Sequence, residues 1–149
     1  MEKEISEFVD AIGAKRIQEH SSRKILSNKE PCWNSHPNFK NYNYFILELE
    51  NEIIVMIVKL SRTPNRPFWG VGKQFTDFFN KFSRVKYFLI LLDSKKSGWL
   101  FSKKDINWEI SQNHWSFSEP DYKINYGTLP DTNRFLSPMS FHSKIQQKT

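Results

Sequence analysis

Apolar residues recur at helical spacing in two stretches of the chain. Residues 3–12 carry them at positions i, i+3, i+4 and i+7, at Ile5, Phe8, Val9 and Ile12. This spacing gives a helix one apolar face, and Gly13 is a suitable helix end. Residues 72–82 show the same spacing with phenylalanine alone, at Phe75, Phe78, Phe79 and Phe82. The pattern predicts two amphipathic helices.

Capping signals predict two more helices. Ser102 precedes Asp105 by three residues, which is the spacing of a capping box with Asp in place of Glu, and this helix would run to about Ile110. Ser137 is followed by Pro138, as in helices that have a serine N-cap and proline at the first helical position. We therefore expect a short C-terminal helix through Ile145.

Two neighbouring segments have the pattern of a β-hairpin. Residues 44–49 alternate, with Phe45, Leu47 and Leu49 on one side and Tyr44, Ile46 and Glu48 on the other. Residues 53–60 are nearly all apolar, which predicts a strand that is buried on both faces. The polar residues 50–52 form the turn between them.

The rest of the pattern completes a mixed sheet. Residues 85–92 predict a third apolar strand, residues 99–101 a short one and residues 122–126 a late one. The helix over residues 72–82 is a connection of suitable length for a parallel pair formed by residues 53–60 and 85–92. The predicted class is α+β with an α/β-like core, a mixed β-sheet flanked by helices in the order helix, strand, strand, helix, strand.

Three segments have weaker signals. Residues 14–26 leave a strand, a hairpin and a helix open. Residues 27–41 contain two prolines and four asparagines, which predicts a loop. Residues 61–67 predict a basic loop, and Gly70 and Gly72 are interpreted as the opening of the helix that follows.

The composition bounds the class of protein. The chain has 149 residues, of which 38% are hydrophobic and 26% charged, and this predicts a single folded domain over residues 1–149. Cys32 is the one cysteine, so no internal disulfide and no cysteine-based metal site can form. The charged N-terminus has no apolar leader, and the longest apolar run, residues 87–92, is too short to span a bilayer. We expect a cytoplasmic, intracellular protein with no membrane partner.

The positive charge favours a polyanionic partner. The net charge is +6 and the pI about 9.4, and nucleic acid is the commonest partner of such chains, although the charge can also serve solubility alone. Basic residues cluster in predicted loops, which would form one groove if the loops shared an edge of the sheet. Aromatic residues make up 15% of the chain; most fit a core, and Trp33 and Trp69 are candidates for stacking on bases.

Lys59 is the candidate for chemistry on a phosphate. A lysine in an apolar strand is costly unless it reaches water or a partner, and its place at the strand end allows either. The alternative to plain solvation is a phosphate cleft that Lys59 forms with Arg62, Arg66 and Lys73. A metal-dependent nuclease would add carboxylates that hold Mg²⁺. The chain has no P-loop, G-x-S-x-G or H-E-x-x-H motif, and its four histidines are scattered.

Residues 43–45 and 52–59 resemble the paired strands of the PD-(D/E)XK nuclease superfamily. Lys59 matches the lysine of (D/E)-x-K, whereas Ile57 and Asn43 stand at the positions of its two acidic residues. The resemblance covers residues 3–93 and implies an Mg²⁺-dependent endonuclease of a restriction or mobile-element defence system.

The resemblance also implies a set of site residues. Glu48 would replace the missing carboxylate, so the predicted catalytic residues are Lys59 and Glu48. The predicted metal ligands are Glu48 and Glu19. The charge and aromatic patterns, apart from the resemblance, give the predicted nucleic-acid-binding residues, which are Arg62, Arg66, Lys73 and Trp69.

Three functions therefore stay open. The protein is a nuclease, a nucleic-acid-binding domain that does not cut, or a protein-interaction or assembly module with a basic surface. DNA is expected ahead of RNA, and a homodimer is compatible with the sequence.

Overall fold

A computed structural model describes residues 2–17, 20–35, 43–61, 63 and 65–149, and of residues 20–23 and 35 the backbone only. It is α+β, as predicted. The helices are α1 (Lys3–Ile12), α2 (His20–Lys29), α3 (Lys73–Phe79), α4 (Lys103–Ser111) and α5 (Pro138–Lys148), with 3-10 helices at Pro31–Ser35, Tyr126–Thr128 and Asp131–Asn133. The strands are β1 (Lys15–Arg16), β2 (Tyr44–Glu48), β3 (Ile53–Leu60), β4 (Phe68–Gly72), β5 (Lys86–Leu92), β6 (Gly98–Ser102), β7 (Ser116–Ser118), β8 (Asp121–Asn125) and β9 (Arg134–Phe135).

The described strands form a larger and a smaller sheet. The larger sheet has the order β1-β2-β3-β5-β6-β9, and the smaller has the order β4-β8-β7. Strands β3 and β5 are parallel, with Leu60 opposite Leu92, while the other pairs are antiparallel. The predicted hairpin and the predicted parallel pair are therefore confirmed.

A separate apolar core lies on each face of the larger sheet. One core contains Tyr44 and Ile46 of β2 together with the phenylalanines of α3 and inward residues of the small sheet. The other contains Phe45 and Leu47 and is covered by α1 and α5. Strand β3 contributes to both, because successive side chains of a strand point to opposite faces. The predicted alternation in β2 and the two-sided burial of β3 are thus confirmed.

The helix ends follow the capping signals. Gly13 ends α1 with a positive φ of 80°, a conformation that glycine adopts without a steric penalty. The Ser102 hydroxyl oxygen accepts a hydrogen bond from the Asp105 N–H and the Asp105 carboxylate accepts one from the Ser102 N–H, so the capping box is present. Helix α5 has its N-cap at Ser137 and runs three residues past Ile145.

Two expectations for local structure are wrong in part. Gly72 is the N-cap of α3, as expected, but it is also the last residue of strand β4; Gly70 lies within that strand, and α3 ends at Phe79, before Phe82. The predicted loop over residues 27–41 contains the end of α2 and a 3-10 helix as far as Ser35, while residues 36–41 lie outside the described part. Strand β4 pairs with β8, about fifty residues further along the chain, and no local pattern contains such a pairing.

Candidate functional site

A small polar cleft lies at the carboxyl ends of the two parallel strands. In sheets with parallel strands this is the edge at which ligands usually bind. The Leu92 carbonyl oxygen accepts hydrogen bonds from the Ser61 N–H (3.0 Å) and from Trp69 Nε1 (3.1 Å), which holds β4 against the end of the sheet. The cleft measures about 270 Å³ and is lined by Glu2, Ile5, Asn43, Val58, Lys59, Leu60, Phe68, Trp69 and Gly70. We call it the Lys59 cleft.

Lys59 is a half-buried cation in this cleft. It is the next-to-last residue of β3 and pairs with Leu91 of β5. Burial lowers the pKa of Lys59, because the charged ammonium loses hydration, and the negative charge of Asp121 opposes that shift. An ammonium group held in this way interacts more strongly with an anion than a fully solvated one does.

Asn43 and Glu2 bring polar groups to the same cleft. The Asn43 carbonyl oxygen accepts a hydrogen bond of 3.0 Å from the Val58 N–H, so the hairpin itself places Asn43 beside Lys59. Glu2 is the N-cap residue of α1, and its carbonyl oxygen accepts a bond from the Ser6 N–H. The position expected to hold an acidic residue by resemblance is thus at the cleft, where it carries an amide.

Asp121 is a carboxylate near the cleft that the sequence analysis missed. It is on β8, and a Cβ atom placed on Gly70 would lie 3.5 Å from its Oδ2 atom. It also forms an ion pair with Lys123 (3.6 Å), two residues on and on the same face of the strand. An acidic and a basic residue two positions apart in a strand lie on the same face and could have indicated this pair. The predicted strand, however, began at residue 122, one residue after Asp121.

Glu48 and Lys59 do not meet, so the predicted catalytic pair is wrong. Glu48 pairs with Ile53 at the opposite end of the hairpin. Lys59 is six positions beyond Ile53 on β3, which is roughly 20 Å at about 3.3 Å per residue. The antiparallel register carries the last residue of β2 away from the carboxyl end of β3.

Trp69 cannot stack on a base. Its ring is buried, packs edge-on against Trp99 at 5.5 Å between centroids, and uses its N–H inside the protein. Trp33 is buried against Phe78 as well. The aromatic side chain that the cleft exposes is Phe68, which is 52% exposed.

The other predicted site residues are not among those that line the cleft, or lie outside the described part. Arg66 is exposed in the loop before β4. Lys73 starts α3 and forms a hydrogen-bonded ion pair of 2.6 Å with Asp77, which compensates its charge. Arg62 and Glu19 are outside the residues that the structure describes.

The predicted Mg²⁺ ligands do not form a site in the described residues. Glu48 is remote from Lys59, and Glu19 is not described. Within residues 2–17, 20–35, 43–61, 63 and 65–149, no three of the side chains of His, Cys, Asp and Glu are placed to hold a metal ion.

The basic loops in the described part of the chain do not form one groove. Lys95 and Lys96 follow the carboxyl end of β5, whereas Lys103 and Lys104 follow β6 at the amino end of β5. Positive charge is therefore divided between two ends of the sheet. No helix in the described part of the chain is long and apolar enough to cross a bilayer.

Comparison of the chain with protein-family models, with curated proteins and with solved structures found no match. The resemblance to the PD-(D/E)XK nucleases stays a prediction from the sequence.

Proposed function

We propose that the protein binds nucleic acid and that the Lys59 cleft receives a phosphate of the backbone. The observation that carries this proposal is the place of Lys59, a half-buried ammonium group in a polar cleft at the carboxyl ends of β3 and β5. A phosphate oxygen accepts a charge-assisted hydrogen bond from an ammonium group, and such a bond is stronger than one between neutral groups. The net charge of +6 attracts the same ligand over longer distances.

The residues around Lys59 support recognition of a phosphodiester. The amide of Asn43 can donate to a phosphate oxygen, and Phe68 offers an exposed ring at the rim of the cleft. Glu2 and Asp121 limit the net positive charge of the cleft. The cleft therefore favours a phosphodiester, which has one negative charge per phosphate, over free phosphate groups, which are more highly charged. The resemblance of residues 3–93 to nucleases makes DNA the expected nucleic acid.

Fluorescence anisotropy of a labelled duplex of about 25 base pairs, titrated over roughly 50–300 mM salt, tests this proposal. We expect micromolar or tighter binding that weakens linearly on a log–log plot, and about tenfold weaker binding for Lys59→Gln. Lys24→Gln is the matched control, because Lys24 is an exposed lysine on α2 and its loss changes the net charge equally. No binding at low salt would overturn the proposal, and equal losses in both variants would remove Lys59 from the site.

Cleavage is tested in the same series by adding Mg²⁺. A product that the wild-type protein forms and Lys59→Gln does not would add phosphodiesterase activity to the proposal. Glu48→Ala should form the same product as the wild type, since Glu48 is at the other end of the hairpin.

The second candidate is a protein-interaction or assembly module. Leu136 and Met139, at the start of α5, are 67% and 81% exposed, which favours a partner that covers them. This function predicts negligible affinity for nucleic acid at physiological salt. It also predicts concentration-dependent sedimentation that Met139→Ser abolishes, if the partner is a second copy.

A further inference from the structure

A second and larger cleft lies at the opposite end of the parallel strands. It measures about 560 Å³ and is bordered by the start of β5, the start of α4 and the end of α5. Its basic side chains are Arg84, Lys86, Lys103, Lys104 and Lys148, and its one acidic side chain is Asp105. We call it the amino-end cleft.

Most of this positive charge is not cancelled. Lys148 is paired with Asp105 at 2.8 Å, and Lys86 lies 3.9 Å from Glu52. Lys103 donates to the Asn80 carbonyl oxygen (2.8 Å), an acceptor that leaves the charge in place. In the described part of the chain, Arg84 and Lys104 form no ion pair. The cleft thus has an excess of positive charge toward any ligand.

The segment that carries Arg84 is held rigidly. Glu30 is 2% exposed, and its Oε1 atom accepts hydrogen bonds from the N–H groups of Ser83 (2.8 Å), Arg84 (2.8 Å) and Val85 (3.2 Å). Bonds to a charged acceptor are the stronger kind, and three of them fix the backbone on this side of the cleft. The capping box at Ser102 fixes the other side, where Lys103 and Lys104 begin α4.

Size and lining together indicate the class of ligand. A volume of about 560 Å³ is in the range of sites for organic ligands and far exceeds one inorganic phosphate. The inner wall includes Phe82, Val85, Tyr87 and Phe88, and the basic groups stand around it. Lys103 and Lys104 lie in the first turn of α4, where positive charge opposes the helix dipole and a bound anion would relieve the repulsion. An apolar wall with several unpaired cations fits a molecule that has a flat organic part and multiple negative charges.

We propose that the amino-end cleft binds a phosphorylated nucleotide, with its phosphates on Arg84 and Lys104 and its base toward the apolar wall. The ligand is a free nucleotide or the phosphorylated terminal nucleotide of a strand, since both present the same chemistry. This proposal does not rest on the Lys59 cleft, because the two clefts share no lining residue.

Isothermal titration at low salt with ATP, with adenosine and with short oligonucleotides that carry or lack a terminal phosphate tests the proposal. We expect ATP or the phosphorylated oligonucleotide to bind at least about tenfold more tightly than its unphosphorylated counterpart. Binding of ATP identifies a free nucleotide, and binding of the phosphorylated oligonucleotide alone identifies a strand end.

The variant Arg84→Gln/Lys104→Gln should lose this binding by about tenfold or more, while Lys15→Gln/Lys24→Gln, with the same change of charge, should not. All four positions are exposed, so urea unfolding should give similar midpoints. Lys59→Gln should bind ATP like the wild type even where it loses duplex affinity. Absence of any phosphate-dependent binding, or equal loss in both double variants, would overturn the proposal.

Discussion

The two ends of the parallel pair β3 and β5 present positive charge in different ways. At the carboxyl end one lysine, Lys59, is half-buried between Asn43 and strand β4, and Asp121 acts on it. At the amino end, five basic side chains surround a cleft of twice the volume and are mostly hydrated. Anion binding by a single desolvated cation depends on whether that cation is protonated and on the partner it meets. Anion binding by a group of solvated cations depends on how many cations there are and weakens with salt. The ends should therefore respond to different perturbations.

The largest expected effect comes from breaking the frame of the amino end with Glu30→Ala. Removing the Glu30 carboxylate leaves three backbone N–H groups without their acceptor, at about 1–3 kcal/mol for each buried donor that stays unsatisfied. Val85 is buried whereas Ser83 and Arg84 are exposed, so one donor stays unsatisfied and we expect a loss of about 1–3 kcal/mol in the free energy of unfolding, measured by urea denaturation. ATP affinity of the folded fraction should fall with it, because Arg84 is released.

Glu48→Ala is the control for that change. Glu48 is exposed on β2, and substitutions at such positions usually change stability by less than about 0.5 kcal/mol. If both variants unfolded at the same urea concentration, the role assigned to Glu30 would be wrong.

Anion binding at the carboxyl end should weaken at a lower pH than the one at which exposed lysines lose their charge. Because the pKa of Lys59 is lowered, Lys59 loses its proton as the pH rises while exposed lysines, with a pKa of about 10.4, are still protonated. Duplex affinity should therefore fall by up to about tenfold as the pH rises through that pKa. Lys59→Arg keeps its charge over this range and should have a flatter profile, measured by anisotropy from about pH 7 to 10. Identical profiles would contradict a site at Lys59.

The same lowered pKa makes a prediction for stability. Between the pKa of Lys59 in the folded protein and about 10.4, the unfolded chain binds more protons at this residue than the folded protein does. Stability therefore rises with pH in that window as far as Lys59 is concerned. As the pH rises, the unfolding free energy of the wild type should increase relative to that of Lys59→Met. A difference that stays constant with pH would contradict the burial of this charge.

The contrast between the two ends was only partly predictable from the sequence. Local patterns gave the helices that have apolar stripes or caps and the strands β2, β3 and β5, and the hairpin register then brought Asn43 next to Lys59. Glu48 was assigned to the site wrongly, because a strand of five residues is long enough to carry its last residue to the other end of the sheet.

Features that depend on distant pairing were missed. Gly70 was predicted to open a helix, whereas it lies in strand β4, and Asp121 reaches it only through the pairing of β4 with β8. The amino-end cleft combines Glu30, Arg84 and Lys104 from three separate parts of the chain, and no spacing within one segment contains this arrangement.

Salt dependence separates the ends further. Each phosphate contact contributes about 0.9 to the slope of log K against log salt for duplex DNA. Lys59→Gln should lower the magnitude of this slope by about 0.9, the contribution of one phosphate contact. Arg84→Gln/Lys104→Gln should leave the duplex slope unchanged if the amino-end cleft takes a nucleotide, and should lower it by about two contacts if a duplex also lies there. Anisotropy titrations at several salt concentrations distinguish these outcomes, with Lys24→Gln as the reference for a non-contacting charge.

The smallest expected effect concerns Asp121. Its carboxylate repels a phosphate in the Lys59 cleft but also favours the charged form of Lys59, so the two influences of Asp121→Asn on duplex binding oppose each other. Near pH 7 we expect the loss of repulsion to dominate, with affinity about two- to threefold higher in an anisotropy titration. As the pH rises through the pKa of Lys59 the sign should reverse, because Lys59 loses its proton more readily without Asp121. Asp10→Asn, on the exposed side of α1, removes the same charge and should change duplex affinity equally at every pH. A sign reversal confined to Asp121→Asn would show that Asp121 acts on the charge of Lys59.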